Sequence, residues 1–371
     1  MGTEDPTAFS ESHPMNGGDG VLSYARNSWA QRGAVDSAKQ MIQQAIADLL
    51  DIEKLKLESS HKFQLADLGC ATGTNTFFAV QNIIEAVDAK CKLYSSKHWN
   101  NSQSLGLEYQ IFFNDHVGND FNTLFRSFPV LWQYFAAAVP GSFYGRLFPK
   151  RSIHFMHSSN ALNWISRVPK EVVDINSPAW NEGSIYCSGT ANKVLDAYST
   201  QFKNDIETFL DARAQELVGG GLMMLILAGL PDDVLLCQTL IGKSYDILGS
   251  CLVDMANKGM FSKERLDSFN LPQYYPHLDE MKEVIPNNKY FSLERIETTF
   301  GPSPRDITSN IEMWASLLRS GLEGIIGDQF GNEIPGKLFE CYSKKHAENR
   351  FSFDEVKDLI AFNIVLKRKY S

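Results

Sequence analysis

The residues with the most evident chemistry form the run Asp67-Leu68-Gly69-Cys70-Ala71-Thr72-Gly73-Thr74-Asn75. It follows the strand-like stretch Phe63 to Gly69 and precedes a helical pattern from Asn75 to Lys90, which makes it the turn of a β-turn-α unit. Gly69 and Gly73 allow a tight turn and a close approach of ligand to backbone, as a nucleoside site at the carboxyl end of a first strand requires. The same G-x-x-x-G spacing taken alone would also serve helix-sheet packing. It is not G-x-G-x-x-G and lacks the Lys-Ser/Thr of a P-loop, so no dedicated pyrophosphate cradle is visible. Asp115 ends a second strand, Glu108 to Asp115, where a carboxylate accepts both hydroxyls of a ribose. A ribose site without a phosphate cradle points to S-adenosylmethionine, with Asp67 near its cationic methionyl portion.

The elements that would position these groups follow from periodicity. Apolar residues recur at helical spacing from Ala34 to Leu57, and the polar stretch Tyr94 to Gln103 reads as a surface insertion. A third strand, Tyr134 to Val139, runs into Pro140-Gly141-Ser142-Phe143, and a fourth, Ser152 to Met156, into His157-Ser158-Ser159. A long helix from Ala191 to Leu217, stopped by Gly219-Gly220-Gly221, leads to the apolar run Leu222 to Leu227. Phe362 to Lys369 is a last strand candidate. This alternation predicts an α/β fold with a parallel sheet covered on both faces. From Pro231 to Arg350 helical periodicity prevails, apart from Tyr290 to Thr298, so a mostly helical cap is expected there. The expected division is a flexible segment 1–20 closing over the site, a sheet domain of 21–230 and 351–371, and a cap of 231–350 with a minor insertion at 168–188.

Composition narrows the function classes. The 371 residues are 43% hydrophobic and carry a formal charge of −9 without a basic stripe, which argues against nucleic acid as partner. Aromatic residues make up 12%, a supply that suits an apolar ligand pocket as well as a core. The six cysteines are far apart with no C-x-x-C, and read as reduced thiols. No stretch approaches the ~18 apolar residues of a membrane span, so no membrane partner and a cytoplasmic location are expected.

In order along the chain stand Ser23-Tyr24-Ala25-Arg26-Asn27-Ser28-Trp29-Ala30-Gln31, Ala66-Asp67-Leu68-Gly69-Cys70, Asn114-Asp115, Asn119-Asp120-Phe121-Asn122, Val139-Pro140-Gly141-Ser142-Phe143-Tyr144-Gly145-Arg146-Leu147-Phe148-Pro149, His157-Ser158-Ser159 with Trp164, and Leu266-Asp267-Ser268-Phe269-Asn270-Leu271-Pro272. With these motifs the sequence resembles the plant SABATH-type S-adenosylmethionine-dependent carboxyl methyltransferases, which act on acids such as salicylate, jasmonate, loganate and farnesoate and, in one branch, on purine alkaloids. The resemblance implies a Rossmann-like class I methyltransferase sheet with a helical cap, and commonly a homodimer. It implies cofactor contacts from Tyr24, Ser28, Asp67, Gly69, Cys70, Asn75, Asp115, His116, Ser142 and Phe143.

Methyl transfer from a sulfonium to a carboxylate needs no general base, because the acid is already ionised at neutral pH. Orientation should dominate, and donors that grip the carboxylate are the groups to seek. The resemblance puts Gln31 and Trp164 in that role, with Tyr24, Ser159, Asn160 and Asn163 lining the acceptor pocket. Asn160 departs from the family's common Tyr, and Asn16 from a Lys; two amides near Trp164 favour a polar acceptor that carries hydroxyls. His116 is read as a neutral side chain lining the adenine pocket, His154 and His157 as structural, and Arg146 as paired with an acid. A peripheral Mg²⁺ site would match Asn181, Asp267, Phe269 and Asn270. The leading expectation is a methyltransferase that makes the methyl ester of a small iridoid, terpenoid or aromatic acid. N-methylation of a xanthine-like heterocycle is the runner-up; a silent binding protein and a nicotinamide-dependent dehydrogenase stand further back.

Overall fold

The computed structural model describes residues 13–99, 105–129, 133–300, 311–348 and 356–370. After a single turn, α1 (Tyr24–Asn27), helix α2 (Trp29–Leu49) buries Val35, Ala38, Met41, Ile42, Ala45 and Ile46. These positions lie three and four apart, which places them on one face. The helix starts earlier than its apolar spacing predicts and stops at Leu49, where Leu50 turns extended; a separate turn, α3 (Leu57–Ser60), precedes the sheet.

Seven strands then form one sheet: β1 (Lys62–Leu68), β2 (Glu108–Asp115), β3 (Phe135–Pro140), β4 (Ile153–Ser159), β5 (Leu217–Gly229), β6 (Phe291–Phe300) and β7 (Ile360–Arg368), in the order β3-β2-β1-β4-β5-β7-β6. The first five are parallel, whereas β7 pairs antiparallel with both β5 and β6. The expected parallel sheet is therefore mixed at one end. Between the strands lie α4 (Asn75–Trp99), α5 (Phe121–Arg126) and α6 (Asn192–Glu216). One face packs on α2 and α4 through Ile42, Ile46, Phe77 and Val80; the other packs on α6 through Tyr198, Phe202 and Phe209. Both faces of the central strands are thus buried, as their continuous apolar runs require.

Three local expectations change. Helix α4 continues through Tyr94 to Trp99, so that part of the supposed insertion is helical, and 100–104 lie outside the described residues. Helix α6 ends at Glu216, and Gly219 to Gly221 belong to β5, where the register against β4 shifts between Ile153 and Phe155. At Gly220, φ is +83° and an added Cβ would fall 2.1 Å from the Tyr370 hydroxyl oxygen, so the glycine makes room for that ring. Finally, β6 lies within 231–350 yet joins the sheet.

Helices α7 (Leu240–Asn257), α8 (Lys263–Asp267), α10 (Ile311–Phe330) and α11 (Ile334–Glu348) share a separate core containing Tyr245, Leu252, Trp314, Leu318 and Tyr342. Helix α9 (Leu278–Asn287) instead adds Met281, Val284 and Ile285 to the α6 side of the sheet core. The helical layer is therefore interrupted by α9 and β6. Residues 1–12 of the expected flexible segment lie outside the described residues. The part that follows is tied down: the Asn16 N–H donates to Ser320 of α10 (2.9 Å), its amide to Glu323 (2.6 Å), and the Gly18 N–H to Asp120 (2.9 Å). Among the described residues, no helix is long and apolar enough to cross a membrane.

Candidate active site

The end of β1 is shaped by close packing. Gly69 has φ +80°, and an added Cβ would lie 2.3 Å from the Ala161 Cβ, which no side chain tolerates. The N–H groups of Gly69 and Cys70 both donate to the Asn114 carbonyl at 2.9 Å, locking the turn to β2. Asp67 is 4% exposed; it receives His157 Nδ1 at 2.7 Å and the Thr76 hydroxyl. Asn75 donates from its amide to the carbonyl and hydroxyl oxygens of Ser28, both at 2.9 Å. Around these groups is a small cavity of about 30 Å³, walled by Tyr24, Gln31, Asp67, Gly69, Asn75 and His157.

Beyond it, the ends of β2 and β3 bring Asp115, His116, Ser142 and Phe143 together, though none of the four lines this cavity. Asp115 accepts the N–H of Ala71 at 2.7 Å and of His116 at 2.8 Å. Burial raises its pKa above the ordinary carboxylate value, and those two bonds oppose the rise. Burial pushes the His116 imidazole down, favouring the neutral ring expected from the sequence, and its centroid is 6.5 Å from that of Phe143. The Ser142 hydroxyl accepts the Tyr144 N–H at 3.3 Å. The Asn114 amide donates to Val139 and Gly141 carbonyls, each at 2.8 Å, which fixes the β3 end against β2.

A second cavity, about 530 Å³, opens between sheet and cap. Gln31 and Trp164, remote in sequence, both line it, and Tyr24 and Gln31 line both cavities. The Gln31 Oε1 is buried with no hydrogen-bond partner. Most of the wall is apolar, from Leu240, Ile241, Leu317 and Leu318, but Tyr245, Gln273 and Tyr275 add polar groups, and Tyr245 donates its hydroxyl to Gln273 Oε1. The Tyr144 hydroxyl holds the Trp164 carbonyl at 2.7 Å.

One pocket expectation needs correction: Ser159 lines the small cavity and not the large one. Asn163 does line the large cavity, and its side chain also ties the fold together: its amide nitrogen donates to the carbonyls of Ala228 (2.7 Å) and Tyr274 (2.9 Å), and its oxygen accepts the Ala228 N–H (3.0 Å). Asn160 does face the large cavity; its φ of 57° is a left-handed conformation that Asn tolerates better than most residues. Arg146 donates to the Phe148 carbonyl at 3.2 Å instead of to an acid. His154 accepts the Gln64 N–H at 3.0 Å and burial lowers its pKa to about 4, as fits a structural residue. His157 meets Asp67 at the wall of the small cavity. Thr76, Tyr245, Gln273 and Tyr275 carry no site signal in the sequence, because each acquires its place through tertiary packing.

Of the expected metal set, Asn181 donates to the Asn270 side-chain oxygen at 2.7 Å, and a buried Asp267 Oδ1 lacks a partner. That orphaned acceptor would suit one weakly held hard cation. The four residues line neither cavity, and among the described residues no cluster of three His, Cys, Asp or Glu side chains is present.

Comparison with known proteins covers nearly the whole chain. Residues 10–369 match the model of the SAM dependent carboxyl methyltransferases. Loganic acid O-methyltransferase of Catharanthus roseus is 46% identical over 367 residues, covering 98% of this chain and 96% of the relative. Farnesoic acid carboxyl-O-methyltransferase of Arabidopsis thaliana is 40% identical over 363 residues, 97% of this chain and all of the relative. The solved structure described as loganic acid methyltransferase with SAH superposes with a TM-score of 0.88 at 44% identity, covering 96% of this chain and 99% of that one.

Proposed function

The chain belongs to the S-adenosylmethionine-dependent carboxyl methyltransferases, and from that membership we propose that its acceptor is a small plant acid bearing hydroxyl groups, of the iridoid or oxygenated terpenoid kind. The enzyme transfers a methyl group from S-adenosylmethionine to a carboxylate oxygen, leaving a methyl ester and S-adenosylhomocysteine. The observation that carries our reading of the site is that Tyr24 and Gln31 line both cavities, so a donor in the small one and an acid in the large one would meet there.

When bound, S-adenosylmethionine supplies the electrophilic methyl group. Asp67, held from two sides by His157 and Thr76, offers negative charge to the cationic methionyl end. Asp115 has lone pairs free for the ribose hydroxyls beyond the two N–H bonds it accepts, while Ser142 and Phe143 would meet the adenine. Ser28 and Asn75 brace each other beside the methionyl cavity, and Cys70 adds its place on the turn. At the junction, the amide of Gln31 and the indole N–H of Trp164 would grip the acid's carboxylate and aim one oxygen at the methyl group. None of these residues has a proton to move. Catalysis then rests on alignment and on the exclusion of water by the apolar wall.

Tyr245, Gln273, Tyr275 and Asn160 put polar atoms on an otherwise apolar wall, and these favour an acceptor with hydroxyls that can bond to them. Asp267, Asn181, Asn270 and the Phe269 carbonyl would hold a Mg²⁺ ion away from both cavities, where it would brace the cap. We read residues 21–230 and 351–371, with β6, as the donor-binding sheet domain and the remainder of 231–350 as the cap over the acceptor. A homodimer in the cytoplasm completes the reading.

The test is incubation with methyl-labelled cofactor and a panel of iridoid, terpenoid, aromatic and fatty acids. Label in a base-labile ester of a hydroxylated acid, formed in preference to its deoxy analogue, is the expected result. Preference for the deoxy analogue would remove the hydroxylated-acceptor proposal, and base-stable label on a xanthine would replace it with N-methylation.

A further inference from the structure

We infer that the buried pair Arg213 and Glu216 positions the turn carrying Ser142 and Phe143, and thereby sets affinity for the nucleoside half of the cofactor. The inference rests on reading those two residues as adenine contacts. Arg213 lies in the last turn of α6 and Glu216 ends it; both are fully buried. Arg213 Nε donates to Glu216 Oε2 at 2.7 Å.

What remains of each group goes to the turn. Arg213 Nη1 donates to the Phe143 carbonyl and Nη2 to the Gly145 carbonyl at 2.7 Å. Glu216 Oε1 accepts the N–H groups of Leu147 and Phe148, the latter at 3.0 Å. Four backbone groups within six residues therefore depend on one ion pair, in a segment that has no helix or strand of its own. The guanidinium also lies over Phe209, 5.2 Å from its centroid, and the Phe209 ring meets Phe143 edge-on at 6.0 Å.

A buried ion pair is a poor source of net stability, since desolvating the charges offsets most of their attraction. A fork of fixed N–H directions is, however, a good way to fix two carbonyls in space, and charge-assisted bonds are the strong ones. Apolar side chains could fill the same volume but would leave four backbone groups of the turn unpaired. The pair accordingly acts through the turn as a positioning device and touches neither cavity.

Arg213→Lys keeps a cation beside Glu216 but offers one nitrogen where arginine has three, so it cannot hold both carbonyls. We expect the Kd for S-adenosylhomocysteine, measured by calorimetry, and the KM for S-adenosylmethionine to rise roughly tenfold, as loss of one to two such bonds implies. The acid's KM and kcat at saturating cofactor should stay within about twofold. An unchanged Kd accompanied only by a lower Tm, or an equal rise in both KM values, would overturn the inference. Phe143→Leu separates this from the reading beneath it: if that variant binds S-adenosylhomocysteine normally, the adenine assignment fails. If it binds weakly while Arg213→Lys binds normally, only the positioning role fails. Should Arg213→Lys not fold, Glu216→Gln, which keeps an acceptor for the two N–H groups, is judged by the same criteria with a smaller expected shift.

Discussion

His157 and Asp67 stand directly opposite each other on the parallel strands β4 and β1, joined by a 2.7 Å bond from Nδ1 to Oδ1. A carboxylate only accepts, so Nδ1 carries the proton of that bond, while Nε2 is buried without a partner. The Thr76 hydroxyl takes the other carboxylate oxygen. Asp67 is thereby fixed in orientation before any ligand arrives.

Replacing His157 by Leu should remove one bond to a buried charge, worth about 1.5–3 kcal/mol. The expected outcome is a weaker calorimetric Kd for S-adenosylhomocysteine by roughly tenfold or more. Normal cofactor binding by a folded His157→Leu protein would show that Asp67 needs no help from β4.

Gln31 and Trp164 should separate kinetically. Trp164 lines only the large cavity, so Trp164→Ala should raise the acid's KM or lower kcat by about tenfold or more while leaving S-adenosylhomocysteine binding almost unchanged. Gln31→Ala should disturb both, since that side chain belongs to both walls. Steady-state kinetics with each substrate varied in turn decides it, and identical behaviour of the two variants would contradict the shared-wall geometry.

Asn163→Ala is expected to be a stability variant. It deletes three side-chain bonds that tie the β4 exit to Ala228 and Tyr274, at a cost of roughly 2–4 kcal/mol. Thermal or urea unfolding should register the loss, and any change in acceptor preference should vanish once the folded fraction is taken into account. A change of preference at full stability would show that Asn163 also selects the acceptor.

Acid should unfold the protein partly through His154. Free imidazole takes up a proton near pH 6.5, whereas burial holds the folded His154 at about 4. Its contribution is complete above the unfolded value and is lost as pH falls from there to the folded one, amounting to up to about 3 kcal/mol. His154→Gln should flatten urea-unfolding stability across that interval; an unchanged slope would mean that other groups govern acid unfolding.

Cofactor binding should also weaken with acid. The Asp115 carboxyl is raised by burial, so protonation reaches it at higher pH than an ordinary aspartate and removes an acceptor from the ribose. Calorimetry with S-adenosylhomocysteine over a falling pH series should show this loss, and Asp115→Asn should bind weakly without it.

The first turn was legible because its message is local: Gly69, Gly73 and an aspartate at a strand end need only their neighbours to be understood. Gln31 and Trp164 were legible only through the order of motifs, as either residue alone reads as surface helix or core. Asn163 lines the large cavity, but an amide near a pocket gives no sign in the sequence that the backbone has already taken its hydrogen bonds. Tyr245 and Gln273 meet across 28 residues of cap, and Arg213 and Glu216 look like a solvated i,i+3 pair until the turn folds over them. Strand β6 was recognisable as a strand, but spacing alone does not say which sheet it joins.

The placement of β7 between β5 and β6 bears on how the protein is made. The five parallel strands can assemble from residues synthesised early, but β6, among the described residues, pairs with β7 alone, which emerges some sixty residues later. Until then β5 presents an open edge, a template for pairing with other chains. Leu359, Ile360 and Ala361, which line the large cavity, arrive with that same strand. A nascent chain would therefore hold the small cavity at the β1 end nearly complete while part of the large cavity's wall is still on the ribosome, and substitutions that slow β7 docking should appear first as aggregation during expression.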